Sequence, residues 1–192
     1  MRSVHLRVVV AVVVTASAAI AGCGSDDDAT GSPDVPASVT AAETTDGQVD
    51  AISGEEICER LTVASVAADT GLDVVRATPD DEATPQCAYE YTTDTGGVSN
   101  LTVASMRSED VDGLAGSAAF DFVVQINESI AGDGAETQAV SAGDNAIRLS
   151  GTSLHLGVVQ LGDRVLTLII PVDDGDSDGV DSLIATMATT LD

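Results

Sequence analysis

The chain is expected to fold as one α+β domain over residues 52–192, an antiparallel sheet with three amphipathic helices packed mainly on one face. Three observations predict this. Apolar residues recur at helical spacing in three separate stretches, strand-like alternation fills the gaps between them, and strands adjacent in sequence are joined by short glycine turns. Neighbouring strands joined by such turns must run antiparallel, because a parallel pair needs a long crossover.

The first helix follows Ile52. Ser53-Gly54-Glu55-Glu56 has the spacing of a capping box, with Ser53 as the N-cap and Glu56 reaching back to it. Ile57, Leu61, Ala64 and Ala68 then share one face up to Gly71, and Thr62 is placed to start a second short helix within the same stretch. Gln86–Thr92 alternates with Cys87, Tyr89 and Tyr91 on one side. Asn100–Met106 alternates again after Thr95-Gly96-Gly97, which predicts a hairpin. Ala119, Phe122, Val123, Ile126 and Ile130 form the stripe of the next helix, closed by Gly132. A short strand at Ala146–Ser150, a strand at Ser153–Leu161, a Gly162-Asp163 turn and a strand at Arg164–Val172 follow. Val180, Leu183, Ile184, Met187, Ala188 and Leu191 make the closing helix.

Ahead of this domain, residues 1–22 have the build of a secretory leader. Arg2 and Arg7 give a positive start, Val8 to Ile20 is uncharged, and small residues follow. Val8 to Gly22 would span about 22 Å as a helix, short of the roughly 30 Å of a bilayer core. Ile20-Ala21-Gly22-Cys23 looks like a bacterial lipobox, in which Cys23 is lipidated and becomes the first mature residue. Ala16-Ser17-Ala18 and Ala19-Ile20-Ala21 would equally suit ordinary secretion. The three cysteines, Cys23, Cys58 and Cys87, favour the lipobox: an exported chain with an odd thiol is explained if Cys23 carries lipid and the other two pair. Resemblance to bacterial lipoproteins implies a diacylglycerol thioether, with further fatty acyl (palmitate-like) modification of the new amine. Each buried methylene adds about 0.8 kcal/mol, so two or three chains anchor stably.

Residues 23–51 read as the lipidated cysteine and a disordered acidic Ser/Thr/Pro tether, with Pro33, Pro36 and the Asp26-Asp27-Asp28 run. Such a segment has too little apolar surface to offset its ordering entropy. The 170 residues from Cys23 onward hold all 32 acidic side chains against five arginines and no lysine, a net charge of −27. That charge repels phosphate backbones and anionic headgroups, which excludes nucleic acid as a partner and leaves the lipid as the membrane attachment.

Cys58 lies on the first helix and Cys87 on the first clear strand. In an oxidising compartment the two would bond across a loop of about 30 residues, worth roughly 3.5 kcal/mol by loop-closure entropy. A redox pair would normally use C-x-x-C spacing, and a metal site needs more ligands than two cysteines and a histidine.

Cys58, Leu61-Thr62, the short Ala/Val-rich helix ending at Gly71 and Cys87-Ala88-Tyr89 together resemble an uncharacterised family of actinobacterial envelope lipoproteins with paired cysteines. Val140–Ala146 with Gly143-Asp144, the strand pair and the closing helix are similar to it as well. Tyr89 departs from the Trp or other aromatic expected there. The resemblance covers residues 52–192 and implies a lipid-anchored, disulfide-bonded α+β domain without an assigned activity. A remoter likeness to PsbP-like lipoproteins concerns fold alone.

Three constellations could carry chemistry. Asp174, Asp176 and Asp178 with Gly179 match the first half of a calcium-binding EF-hand loop, but position twelve is Ala185 where a bidentate Glu is needed. The same aspartates suit a helix N-terminus. His155 and Ser153 would share a strand face, with no G-x-S-x-G elbow to make a nucleophile; a surface histidine is the plainer reading. Val158–Val159 and Val165–Ile170 could line a lipid pocket or simply fill a sheet core.

The sequence therefore predicts a non-enzymatic lipoprotein facing outside the cytoplasmic membrane, without a cofactor beyond its lipid. Its partner would be another envelope protein or a small apolar ligand. A carrier or sensor with an apolar pocket is the alternative, and an enzyme with a site near His155 the third.

Overall fold

The computed structural model describes residues 52–192. The predicted leader, Cys23 and the tether lie outside the described residues. The described chain runs α1 (Gly54–Arg60), α2 (Val63–Thr70), β1 (Asp73–Asp80), β2 (Gln86–Thr92), β3 (Val98–Arg107), a single 3₁₀ turn at Ser108–Asp110, α3 (Ser117–Ala131), β4 (Glu136–Ala139), β5 (Asn145–Ser150), β6 (Leu154–Leu161), β7 (Arg164–Pro171) and α4 (Ser177–Thr190). The strands form one seven-stranded sheet in the order β1-β2-β3-β7-β6-β5-β4, antiparallel throughout.

This is an α+β fold with four helices, where three were expected. The first stretch is divided: Leu61 ends α1, and the Thr62 hydroxyl accepts from the Ser65 N–H at 3.2 Å to start α2. Gly71 closes α2 in the left-handed region at φ 72°, a conformation open to glycine at no steric cost. Ser53 caps α1 as predicted, accepting from Glu56 N at 3.1 Å. The Glu56 carboxylate does not reach back, however; it pairs with Arg60 one turn on.

Successive side chains of a strand point to opposite faces, and this divides the core. Cys87, Tyr89, Tyr91, Leu101, Val103, Leu166, Leu168, Ile170 and Val159 face α1, α2 and α4 in the largest buried cluster. Val158, Val165 and Leu156 point the other way, against α3. The expectation of helices mainly on one face holds for three of the four, and α3 is the exception. The close seat of α4 depends on Gly157, where a Cβ would come within 2.9 Å of Ile184 side-chain carbons. A larger residue would push that helix off the sheet.

The stripe predicted for α3 is rotated in the structure. Ala119, Phe120, Val123, Asn127 and Ala131 are buried, while Ile126 and Ile130 are 45% and 50% exposed. Two local features explain the rotation. Asn127 satisfies its amide within the helix, donating to the Val123 carbonyl at 2.8 Å, so it can occupy the buried row without an unpaired group. At the helix end, Gly151 lets the Ala131 backbone approach so closely that a Cβ at 151 would lie 2.3 Å from the Ala131 carbonyl oxygen.

Candidate functional site

The buried polar side chains converge most strongly where β4, β5 and β6 meet the start of α4. Register places Ser150 opposite His155, Arg148 opposite Gly157 and Gln138 opposite Arg148, all on the α4 face. Gly157 lets Ile184 of α4 sit close to the strand, and the Arg148 side chain, 9% exposed, reaches the start of that helix. Its guanidinium donates to the Ser177 carbonyl at 2.7 Å, to Gln138 Oε1 at 2.6 Å and to Ser150 Oγ at 3.2 Å, and pairs with Asp181 at 2.8 Å.

A cation beside a helix N-terminus opposes the helix dipole. Asp176, Asp178 and Asp181 at the start of α4 offset that opposition. Asp176 is the N-cap and accepts from the Gly179 N–H at 2.6 Å. Asp174 lies outside this cluster and accepts from the Tyr91 hydroxyl at 2.8 Å. The three aspartates of the calcium-loop pattern are thus turned to separate tasks. Among the described residues no group of three or more His, Cys, Asp or Glu side chains is placed to hold a metal ion.

His155 is 6% exposed, which corrects the surface position expected for it. Its Nδ1 lies 3.1 Å from Ser150 Oγ. Burial pushes the imidazole below its ordinary value, and the nearby Arg148 charge adds to this. The Gly175 carbonyl, Asp176 and Asp181 act the other way. Ser150 Oγ, which accepts from Arg148 Nε at 3.2 Å, thus bridges the guanidinium and the His155 ring. Ser153 does not take part; it is exposed in the turn between β5 and β6, where its carbonyl accepts from Val172 N at 3.0 Å.

Arg148 ties Gln138 and Ser150 of the sheet to Ser177 and Asp181 of α4, and only the second Asp181 oxygen in this network is left buried without a partner; its chemistry is that of a clamp holding α4 on the sheet. Sequence reasoning missed Arg148, Ser150, Gln138 and Asp181. The available signal was Arg148 between Ile147 and Leu149, a charged residue on the inward phase of a strand with no exposed face to occupy.

Cys58 and Cys87 are bonded, with their Cα atoms 5.4 Å apart, and tie α1 to β2. Beside them the Tyr89 hydroxyl donates to the Leu61 carbonyl at 2.5 Å. Burial pushes both the Tyr89 and Tyr91 phenols above their usual value.

The valines and leucines that could have lined a lipid pocket are packed in the core, Val158 and Val165 against α3 and Val159, Leu166, Leu168 and Ile170 on the α4 side. Two surface clefts of the described domain have other walls. One of about 610 Å³ lies between residues 139–146 and Ala185, Ala188 and Thr189 of α4. Another of about 450 Å³, near the Tyr91–Asp174 contact, is bordered by Leu72, Thr93, Asp94 and Asp173. No protein family, curated protein or solved structure was found to match the chain.

Proposed function

We propose that this chain is a non-enzymatic, lipid-anchored binding module of the bacterial cell envelope, displayed outside the cytoplasmic membrane on a flexible acidic tether. The observation that carries the reading is the sulfur count: Cys58 and Cys87 take each other as partners, and Cys23 remains at the end of Ile20-Ala21-Gly22-Cys23, the position a lipobox gives to the acylated residue. A disulfide linking helix to strand also fits an oxidising compartment. The resemblance to actinobacterial envelope lipoproteins agrees with both.

Recognition of a partner on an outer surface is favoured over carriage of a lipid, because the apolar side chains of the central strands are committed to packing. It is favoured over catalysis because His155 and Ser150 face each other within a closed network rather than a cleft. Replacing Cys23→Ala tests the anchor. The wild-type protein should partition with membranes and carry acyl mass at its N-terminus, and the variant should lose both. Membrane partition equal to wild type would overturn the reading.

A further inference from the structure

We infer that the free edge of β4 is a self-pairing seam, at which two copies of this chain join their sheets edge to edge. The sheet has two edges, β1 and β4, and an edge bares backbone groups that another strand can bond. β1 is guarded. Its register shifts between Val74 and Arg76, Pro79 lacks an N–H, Asp73, Arg76 and Asp80 charge it, and α1 and α2 pack against it. β4 is short, but it has no proline and no register shift, and its one charged side chain is Glu136. All four of its residues are exposed.

The pairing with β5 decides which groups β4 leaves free. Gln138 lies opposite Arg148, and just past the strand the Val140 N–H donates to the Ala146 carbonyl at 2.9 Å. Hydrogen-bonded and non-bonded pairs alternate along an antiparallel ladder. Glu136, Gln138 and Val140 therefore bond inward, while Thr137 and Ala139 turn their N–H and C=O groups outward. Among the described residues no loop or helix backbone takes those groups. The approach is open on both faces. α3 packs on β5, β6 and β7, and on the α4 face the cleft between residues 139–146 and α4 leaves the space beside β4 unfilled.

A second copy fits this edge because the edge complements itself. A two-fold axis at Gln138 sets Thr137 opposite Ala139 of the second copy and Ala139 opposite its Thr137, so the outward groups exchange four hydrogen bonds. An axis at 137 or 139 would leave one of the two residues facing a position outside β4. In the Gln138 register Glu136 faces Val140, and the two Glu136 residues stand about 14 Å apart along the seam at ~3.4 Å per residue. The nearest opposed acids, Asp133 and Asp144, lie outside the strand, and Asp144 is turned to the Gly162 N–H at 2.7 Å. Residues 52–192 carry 25 acidic side chains against five arginines, a net charge of −20. The sheet centres would be seven strand spacings apart, about 34 Å, or roughly four Debye lengths at physiological salt. Net charge thus weakens the pairing without forbidding it, and added salt strengthens it. A seam of four residues is far smaller than the ~1,200 Å² of a standard interface, so the dimer is weak and concentration-dependent.

The test oxidises full-length Gln138→Cys with copper–phenanthroline and reads disulfide-linked dimer on a non-reducing gel. Position 138 meets its own copy across the seam at a spacing a disulfide can bridge. Val75→Cys, at an exposed site on the guarded edge, is the control. Dimer is expected at 138 and not at 75. Sedimentation of the unaltered protein should show dimer that increases with protein concentration and with salt. Ala139→Pro removes an outward N–H and spares the β5 ladder, a place where an edge strand tolerates proline. With its melting temperature unchanged, its dimer dissociation constant should rise about tenfold or more through two lost hydrogen bonds. The seam is overturned by no dimer at 138, by equal dimer at 75, or by an adduct of 138 with a different polypeptide. A wild type monomeric at every concentration and salt, or pairing indifferent to the proline, overturns it too. None of these outcomes bears on membrane partition, so the seam and the lipid anchor stand or fall separately.

Discussion

Arg148 is where the fold is most exposed to a single substitution. Arg148→Met keeps the aliphatic stem that packs along the β5–β6 row and removes only the guanidinium. Four acceptors then lose their donor: the Ser177 carbonyl, Gln138 Oε1, Ser150 Oγ and the Asp181 carboxylate. Asp181 suffers most, since its other oxygen already has no partner in the fold. Breaking a buried pair from one side typically costs about 3–5 kcal/mol. Asp181 is 27% exposed, so water recovers part of the loss, and about 3 kcal/mol is the working figure. For a domain of this size that amounts to a fall of roughly 10 °C in melting temperature.

The companion change Asp181→Leu should cost about 2–3 kcal/mol, because it leaves a buried cation with neutral partners alone. The double variant removes both charges and should cost little more than either single, a coupling of about 2 kcal/mol. Urea unfolding followed by circular dichroism on wild type, both singles and the double measures all four corners. If the single changes cost under about 1 kcal/mol, or add within about 0.5 kcal/mol, the pair behaves as an ordinary surface contact. The clamp assigned to this network would then be wrong.

Three further outcomes follow from the same structure. Reducing Cys58–Cys87 should remove about 3.5 kcal/mol of stability by loop-closure entropy, a drop of about 10 °C in melting temperature; an equal melting point in reductant would mean the bond contributes nothing. Both tyrosines of the chain are buried, so tyrosinate absorbance should stay low past pH ~10, where a free phenol is half ionised, and should rise only as the fold opens; an ordinary titration would contradict their burial. His155 is held below its ordinary value of 6.5, so the unfolded chain takes up the proton first: stability is full above pH 6.5 and declines as pH falls below it. His155→Gln should flatten that decline, and an unchanged slope would assign it to other groups.

What the sequence disclosed depended on whether a segment meets the core on one side. β2, β3, β6, β7 and α4 alternate or repeat cleanly because each has a buried phase, and their positions were legible to within a few residues. β1 and β4 were not. They are the two edges of the sheet. Glu136–Ala139 is exposed at every position, and β1 carries Asp73, Arg76 and Pro79 with a register shift between Val74 and Arg76, so neither shows a hydrophobic rhythm. The face of α3 was misjudged because Ile126 and Ile130 outrank Asn127 and Ala131 in hydrophobicity. Packing chose the small residue that fits against Gly151 and the polar one that satisfies itself. The Arg148 network was invisible for a different reason: it is assembled by the register of three strands and the docking of a helix 29 residues away in sequence.

The two sides of the sheet are also held differently. Toward α1, α2 and α4, the apolar core is fastened at its margins by specific polar or covalent ties: Cys58 to Cys87, Tyr89 to the Leu61 carbonyl, Tyr91 to Asp174, Ser182 to Asp69 at 2.9 Å, and Arg148 to Ser177. Toward α3 there is no equivalent among the described residues; the side-chain bonds of Asn127 and Ser129 both close within the helix itself. Apolar contact alone is non-directional and tolerates small rotations, whereas hydrogen-bonded and covalent ties fix a single arrangement. A helix seated by contact alone can shift against the sheet without breaking a bond. The side tied by hydrogen bonds and the disulfide therefore sets the frame, and α3 is the element freest to move against it.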